Sequence, residues 1–192
     1  MQSRIAVLLV CLGVYTESPA AAFEFSADRI LLQKGREIIA TVRAKEDRWR
    51  FEYATPQAGA MASIVRQDRR SAWRIISQRQ VFIEVPLEPI DLLYVTEAME
   101  GEIKREFIGT EDLNGYPTEL FEVTTLINGL RLQFYQWVTR DERFSMKTIS
   151  KAGDWSLEYR NVKFIPQSSR FFEPPYGFFE DRLLKPPPTP AS

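Results

Sequence analysis

A chain of 192 residues with no histidine, one cysteine and a formal net charge of −1 excludes several kinds of chemistry at once. Without histidine there is no Ser-His-Asp or Cys-His nucleophilic catalysis, no imidazole proton shuttle, and little means of holding zinc or copper. The balanced charge gives no overall pull toward nucleic acid or an anionic membrane, and a hydrophobic share of 44% is ample for the core of one domain.

In chain order, Arg4 and the apolar run Ile5 to Val14 read as a secretory signal, too short to span a bilayer. Ala20, Ala21 and Ala22 offer a cleavage site, so the mature chain is expected to start at Phe23, in the periplasm. Cys11 lies inside this signal, and Val10 stands where a lipidated cysteine needs a small residue, which argues against an anchor there. The mature chain is then free of thiols.

Strand signals follow. Phe25 to Leu32 closes on a turn at Lys34-Gly35. Ile38, Ala40, Val42 and Ala44 alternate with Ile39, Thr41, Arg43 and Lys45; Trp49, Phe51 and Tyr53 alternate with Arg48, Arg50 and Glu52. The Glu46-Asp47 pair between them predicts a hairpin. Short strands fit Ala62 to Arg66, Ala72 to Ile76 and Gln80 to Val85, with a polar turn at Gln67 to Arg70. Leu87 to Met99 breaks the pattern. Pro89 sits near a helix start, and Ile90, Leu93, Tyr94 and Ala98 fall at helical spacing, which predicts a short amphipathic helix.

Strands resume at Ile103 to Ile108 before Gly109, then at Glu119 to Ile127, Leu130 to Thr139, Met146 to Ser150 and Trp155 to Phe164. Asn114-Gly115, Asn128-Gly129 and Gly153-Asp154 mark the turns. Arg170 to Phe179 gathers four phenylalanines and Tyr176 around Pro174-Pro175 and Gly177, an irregular turn or short helix docked by its aromatics. Residues 185–192 form a proline-rich tail of disordered composition. One domain over residues 23–184 remains, with about ten strands at a spacing typical of a meander, sandwich or barrel.

A sheet of this size needs a second layer, and the alternation fits a filled core and an open cup equally well. Candidates to line a groove are Val42, Trp49, Phe51, Tyr53, Ile64, Trp73, Phe121, Phe134 and Val138. Arg66, Arg69, Arg70 and Arg74, with Arg79, form the densest basic stretch, either a contact for lipid headgroups or an acidic partner, or a solvated hairpin face. Glu111 and Asp112 are neighbours on a strand and point to opposite faces, so they do not cooperate as an acid-base pair. Asp112 is instead placed to satisfy the amides of the Asn114-Gly115 turn. No catalytic residue, metal or cofactor is expected.

Several pieces carry a family resemblance: Phe25-Ser26-Ala27-Asp28, Arg50-Phe51-Glu52, Ile64-Val65-Arg66-Gln67-Asp68 with Trp73, and Phe82-Ile83-Glu84-Val85-Pro86. Ile108-Gly109-Thr110-Glu111-Asp112-Leu113-Asn114-Gly115-Tyr116-Pro117-Thr118 follows and is the most specific of them. Trp137-Val138, Lys147, Glu158-Tyr159-Arg160-Asn161-Val162 and Phe172-Glu173-Pro174-Pro175-Tyr176-Gly177 complete the order. Together they resemble the LolA-like superfamily of periplasmic lipoprotein carriers, and within it the outer-membrane lipoprotein-sorting-like proteins, over nearly the whole mature chain.

The resemblance implies a mainly β fold, an antiparallel curved sheet or unclosed β-barrel with one or two short covering helices and a hydrophobic concave face. It implies a non-enzymatic periplasmic binding protein whose groove takes lipid or lipoprotein acyl chains, in the setting of outer-membrane lipoprotein sorting, with only peripheral membrane contact and no nucleic acid. True carriers have a substantial helical lid where this chain shows one short helix, so the fold and groove carry over and transport does not. The alternative is an envelope interaction or stress-sensing module with a self-filled core, docking a protein through Phe171 to Phe179 and the tail.

Overall fold

Alternating patterns and two-residue turns dictate most of the architecture. The computed structural model describes residues 24–182; the signal segment, Cys11 and the proline tail lie outside the described residues. Twelve strands form one sheet: β1 (Phe25–Gln33), β2 (Arg36–Lys45), β3 (Arg48–Gln57), β4 (Ala60–Arg66), β5 (Ser71–Ile76), β6 (Val81–Pro86), β7 (Glu102–Leu113), β8 (Tyr116–Ile127), β9 (Leu130–Thr139), β10 (Ser145–Ser150), β11 (Trp155–Lys163) and β12 (Phe179–Glu180). Asn114-Gly115 and Asn128-Gly129 both place two successive residues at positive φ, the twist that suits a two-residue hairpin. Asp112 Oδ1 accepts from the Gly115 amide at 2.9 Å, as its position in the sequence suggests.

The sheet order is β12-β6-β5-β4-β3-β2-β1-β11-β10-β9-β8-β7. Two antiparallel meanders, β1 to β6 and β7 to β11, thus join side by side through the β1–β11 pair. The sheet does not close: β6 with its short parallel partner β12 ends one side, and β7 ends the other.

Register assigns the faces. Phe51 lies opposite Val42 and Ser63, and Trp49 opposite Ala44 and Val65. One buried cluster joins these to Phe25, Leu31, Phe144, Met146, Leu157 and Tyr159. Side chains of β3 and β4 can share a core with those of β10 and β11 only if the sheet curls around them. Each large apolar side chain buried here contributes roughly 1.5–3 kcal/mol.

The predicted helix over Leu87 to Met99 does not form. A single 3-10 turn, Pro89–Asp91, is closed locally by Glu88 and Asp91, and Leu92 is already extended. The physical reason is that the sheet takes the carbonyls a helix would use internally. Ile90 O accepts from Arg29 Nη2 at 3.2 Å, Asp91 O from Trp49 Nε1 at 2.6 Å, and Val95 O from the Ser145 amide at 2.8 Å. Thr96 O and Glu97 O are taken by Gln136 and Arg105. The stretch crosses the concave face as an extended segment, with Leu87, Ile90, Leu93 and Val95 packed on the core.

A second core lies on the convex face. Ile64 pairs with Trp73 and with Arg50, the face opposite Phe51. There Ala62, Ile64, Trp73 and Ile75 bury Phe172 completely. The C-terminal aromatic segment is indeed docked by its rings: its 3-10 turn, Ser169–Phe172, delivers Phe172, and β12 then pairs with β6.

Candidate apolar cleft

Between the crossing segment and the inner face of β8 to β11 the hollow stays open. A cleft of about 490 Å³ lies there, with Leu92, Leu93 and Met99 on one wall and Leu132, Phe134 and Trp155 on the other. Trp155 meets Tyr94 and Phe134 edge to face at 5.8 and 6.1 Å, so these rings form a continuous apolar wall. Gln136, Thr148, Ser150 and Asp154 supply polar groups among the lining. A second hollow of about 380 Å³, against Glu88 and Ile90 of the same segment, is polar: Lys34, Arg36, Arg74 and Ser63 contribute to it. There the Tyr53 hydroxyl bonds to Ser63 Oγ at 3.0 Å, and burial raises the Tyr53 pKa.

The sequence-selected groove residues separate into three groups. Trp49 and Phe134 line the apolar cleft. Val42, Phe51, Tyr53, Phe121 and Val138 are buried core, Phe121 between the Phe107 ring and the Arg105 guanidinium. Ile64 and Trp73 occupy the convex core instead, because the C-terminal segment covers their face.

Nor do the arginines make one patch. Arg66 binds Asp68 through two nitrogens, at 3.0 and 2.8 Å, and its guanidinium lies 5.6 Å from the Trp73 ring centroid. Arg69 also approaches that ring, and Arg70 is exposed at a turn. Arg74 faces the concave side, where both its terminal nitrogens bond the fully buried Asp91 carboxylate. Its charge is engaged inside the fold.

Glu111 accepts from Trp137 Nε1 while Asp112 serves its turn, so these two carboxylates serve different structural contacts. Among the described residues no three carboxylates converge to hold a metal ion.

One inner-face residue escaped the sequence reading. Arg29 is fully buried, with its guanidinium 4.8 Å from the Phe51 ring centroid and one bond to Ile90 O. Its Nε and Nη1 have no hydrogen-bond partner. The Tyr159 hydroxyl beside it is also buried; burial pushes its pKa up to about 12, against the opposing pull of Arg29. A signal was available in the strand period, which puts Arg29 in phase with the inner-face residues Phe25, Ala27 and Leu31; its charge is what reads as exposed.

No model of a known protein family and no curated protein matches the chain. Solved structures do. MucB is similar over 78% of this chain and 56% of its own, at 12% identity and a TM-score of 0.55. MucB in complex with MucA(peri) is similar over 78% and 53%, at 14% identity and a TM-score of 0.50. A putative outer membrane lipoprotein-sorting protein domain from Vibrio parahaemolyticus also aligns, over 78% of this chain and 89% of its own, at 12% identity and a TM-score of 0.34. The chain spans about half the length of MucB, and at these identities the likeness is one of fold: the unclosed, mainly β architecture expected from the sequence.

Proposed function

We propose that this chain is a non-catalytic binding protein of the bacterial cell envelope whose concave cleft takes the hydrocarbon part of a lipid or an acylated protein. The observation that carries this reading is the open volume of about 490 Å³ with an aliphatic and aromatic lining. It lies within the range of small-molecule sites, roughly 300–1,000 Å³. Each methylene moved into it from water contributes about 0.8 kcal/mol. The neighbouring hollow along the crossing segment is polar, so the apolar site suits one chain rather than several. The signal-like N-terminal sequence and the fold shared with MucB support the envelope setting.

Two tryptophans line the cleft, so the test is optical. Hexadecanol, a neutral probe, is expected to change the emission of Trp49 and Trp155 and to raise the melting temperature. Leu132→Arg, which puts a charge on a wall residue that is already 41% exposed, should weaken binding by about tenfold or more and leave the fold intact. An unchanged emission and melting curve in the native protein would refute the reading.

A specific observation favours a second reading, a protein partner. Strand β7 ends the sheet with no neighbour among the described residues on its outer side. Ile103, Phe107 and Ile108 on it are about half exposed, and Leu126 and Leu130 of the next hairpin extend the apolar surface. An extended peptide could add there as a further strand, and MucB has been solved with MucA bound. Tyr176 and Phe179 are also exposed, as the alternative docking segment requires. Photocrosslinking in cells from position 108 should trap one defined protein if β7 is the dock, and position 37, on the exposed start of β2, should not. Equal labelling from both positions would dismiss it.

A further inference from the structure

Arg29 is a permanently charged group held where nothing neutralises it. Its guanidinium cannot shed a proton, it has no exposure at all, and it forms no ion pair among the described residues. Asp91, the buried carboxylate on the same side of the sheet, is occupied by Arg74 through both oxygens and by the Glu88 amide. One carbonyl and one aromatic face are its direct partners, with the buried Tyr159 hydroxyl beside it. An apolar side chain would fill this place without desolvating a charge, so packing gives no reason for an arginine here.

Its position supplies one. On β3 the inner-face residue after the cleft-lining Trp49 is Phe51, on which the guanidinium rests. On β11 the inner-face residues after the cleft-lining Trp155 are Leu157 and then Tyr159, which pairs with Arg29. Arg29 therefore lies outside the cleft lining, one inner-face position past Trp49 on β3 and two past Trp155 on β11, close enough to the cleft-lining Tyr94 to act on its hydroxyl electrostatically. Between the sheet contacts of Asp91 O and Val95 O, residues 92–94 have no regular backbone pairing and are held by side chains, Leu93 on the core and Tyr94 on Trp155.

We infer that Arg29, assisted by the Tyr159 hydroxyl, is an internal counter-charge for the acidic head of a single-chain amphiphile whose hydrocarbon lies in the cleft, the acid reaching it when residues 92–94 move aside. This rests on the cleft being a hydrocarbon site and adds the head group: a monoanion, carboxylate or phosphate, that the guanidinium grips through its two free nitrogens.

The test compares probes of one chain length on the purified protein by tryptophan emission and calorimetry. Hexadecanoate and hexadecyl phosphate should each bind about ten- to a hundredfold tighter than hexadecanol, the scale of a hydrogen bond to a charged group. The stronger of the two acids identifies the head. The preference should persist between about 0.01 and 1 M salt, where the screening length falls from about 30 to 3 Å, since the charge is internal. Arg29→Met should erase the preference and keep hexadecanol binding, and Tyr159→Phe should reduce it only in part. Equal binding of acid and alcohol by the native protein overturns the inference and leaves the cleft reading standing, as does a preference abolished by salt or retained in Arg29→Met. No binding of any probe overturns both. The comparison in native protein decides the matter even if Arg29→Met does not fold.

Discussion

Asp91→Ala is expected to remove about 3 kcal/mol of folding stability, enough to lower the melting temperature of a domain this size by roughly 6–12 °C. The side chain has no exposure. Its two oxygens hold both terminal nitrogens of Arg74, and Oδ2 also accepts the Glu88 amide at 3.0 Å. Removing it strands a largely buried guanidinium. The loss falls at the low end for a broken buried pair because Arg74 keeps Ser63 Oγ at 2.8 Å and the more exposed Glu88 at 3.1 Å. The sign reverses when both partners go: Asp91→Leu with Arg74→Leu leaves no orphaned charge and should recover most of the loss. Urea unfolding of the two singles and the double measures the coupling directly. If the single changes prove additive, the pair contributes nothing and the crossing segment is held by its carbonyl contacts alone.

Phe172→Ala should cost still more, about 3–5 kcal/mol, the usual range for emptying a fully buried phenylalanine site. Phe172 is the one completely buried ring of the C-terminal segment, seated on Ile64, Trp73 and Ile75. The other attachments of that segment are weaker. Arg43 stacks on Phe171 at 4.7 Å, Arg66 approaches Glu173 at 3.8 Å, and β12 adds two residues of pairing to β6. Deleting the ring should release them together, so hydrogen exchange at Phe179 and Asp181, whose amides donate to Gln80 O and Phe82 O, is expected to quicken along with the fall in stability. A loss below about 1 kcal/mol would mean that the convex core closes over the gap or that the segment is dispensable.

The alternation of Trp49, Phe51 and Tyr53 and the paired turns at Asn114-Gly115 and Asn128-Gly129 made the strands legible, because strand period and turn chemistry are local. The two-residue β12 was not legible, since nothing in Phe179-Glu180 distinguishes it from the irregular segment before it. Ile64 and Trp73 misled for a different reason. A strand covered on both faces buries both sets of side chains, and the cover over β4 comes from residues about a hundred positions later. The helix expected at Leu87 to Met99 failed because Ile90, Leu93 and Tyr94 satisfy a helical spacing and an uneven extended contact equally well. Only the folded sheet shows that Arg29, Trp49 and Gln136 compete for its carbonyls. Of the cleft, Trp49 and Phe134 were found from strand period. Leu92, Leu93 and Met99 were hidden in the misread segment. Arg74 reads as part of a basic surface stretch, as charged strand residues ordinarily do.

The stretch from Leu87 to Gly101 also joins β6 near one rim of the sheet to β7 at the other. A chain that spans an arc from tip to tip acts as a bowstring: its length fixes how far the tips can spread. Ligand entry that lifts residues 92–94 would slacken or tighten that string, and so would couple the gap between the rims to what lies inside. A proteolytic nick there, with both halves still present, should let the arc relax and show as a larger radius in solution scattering.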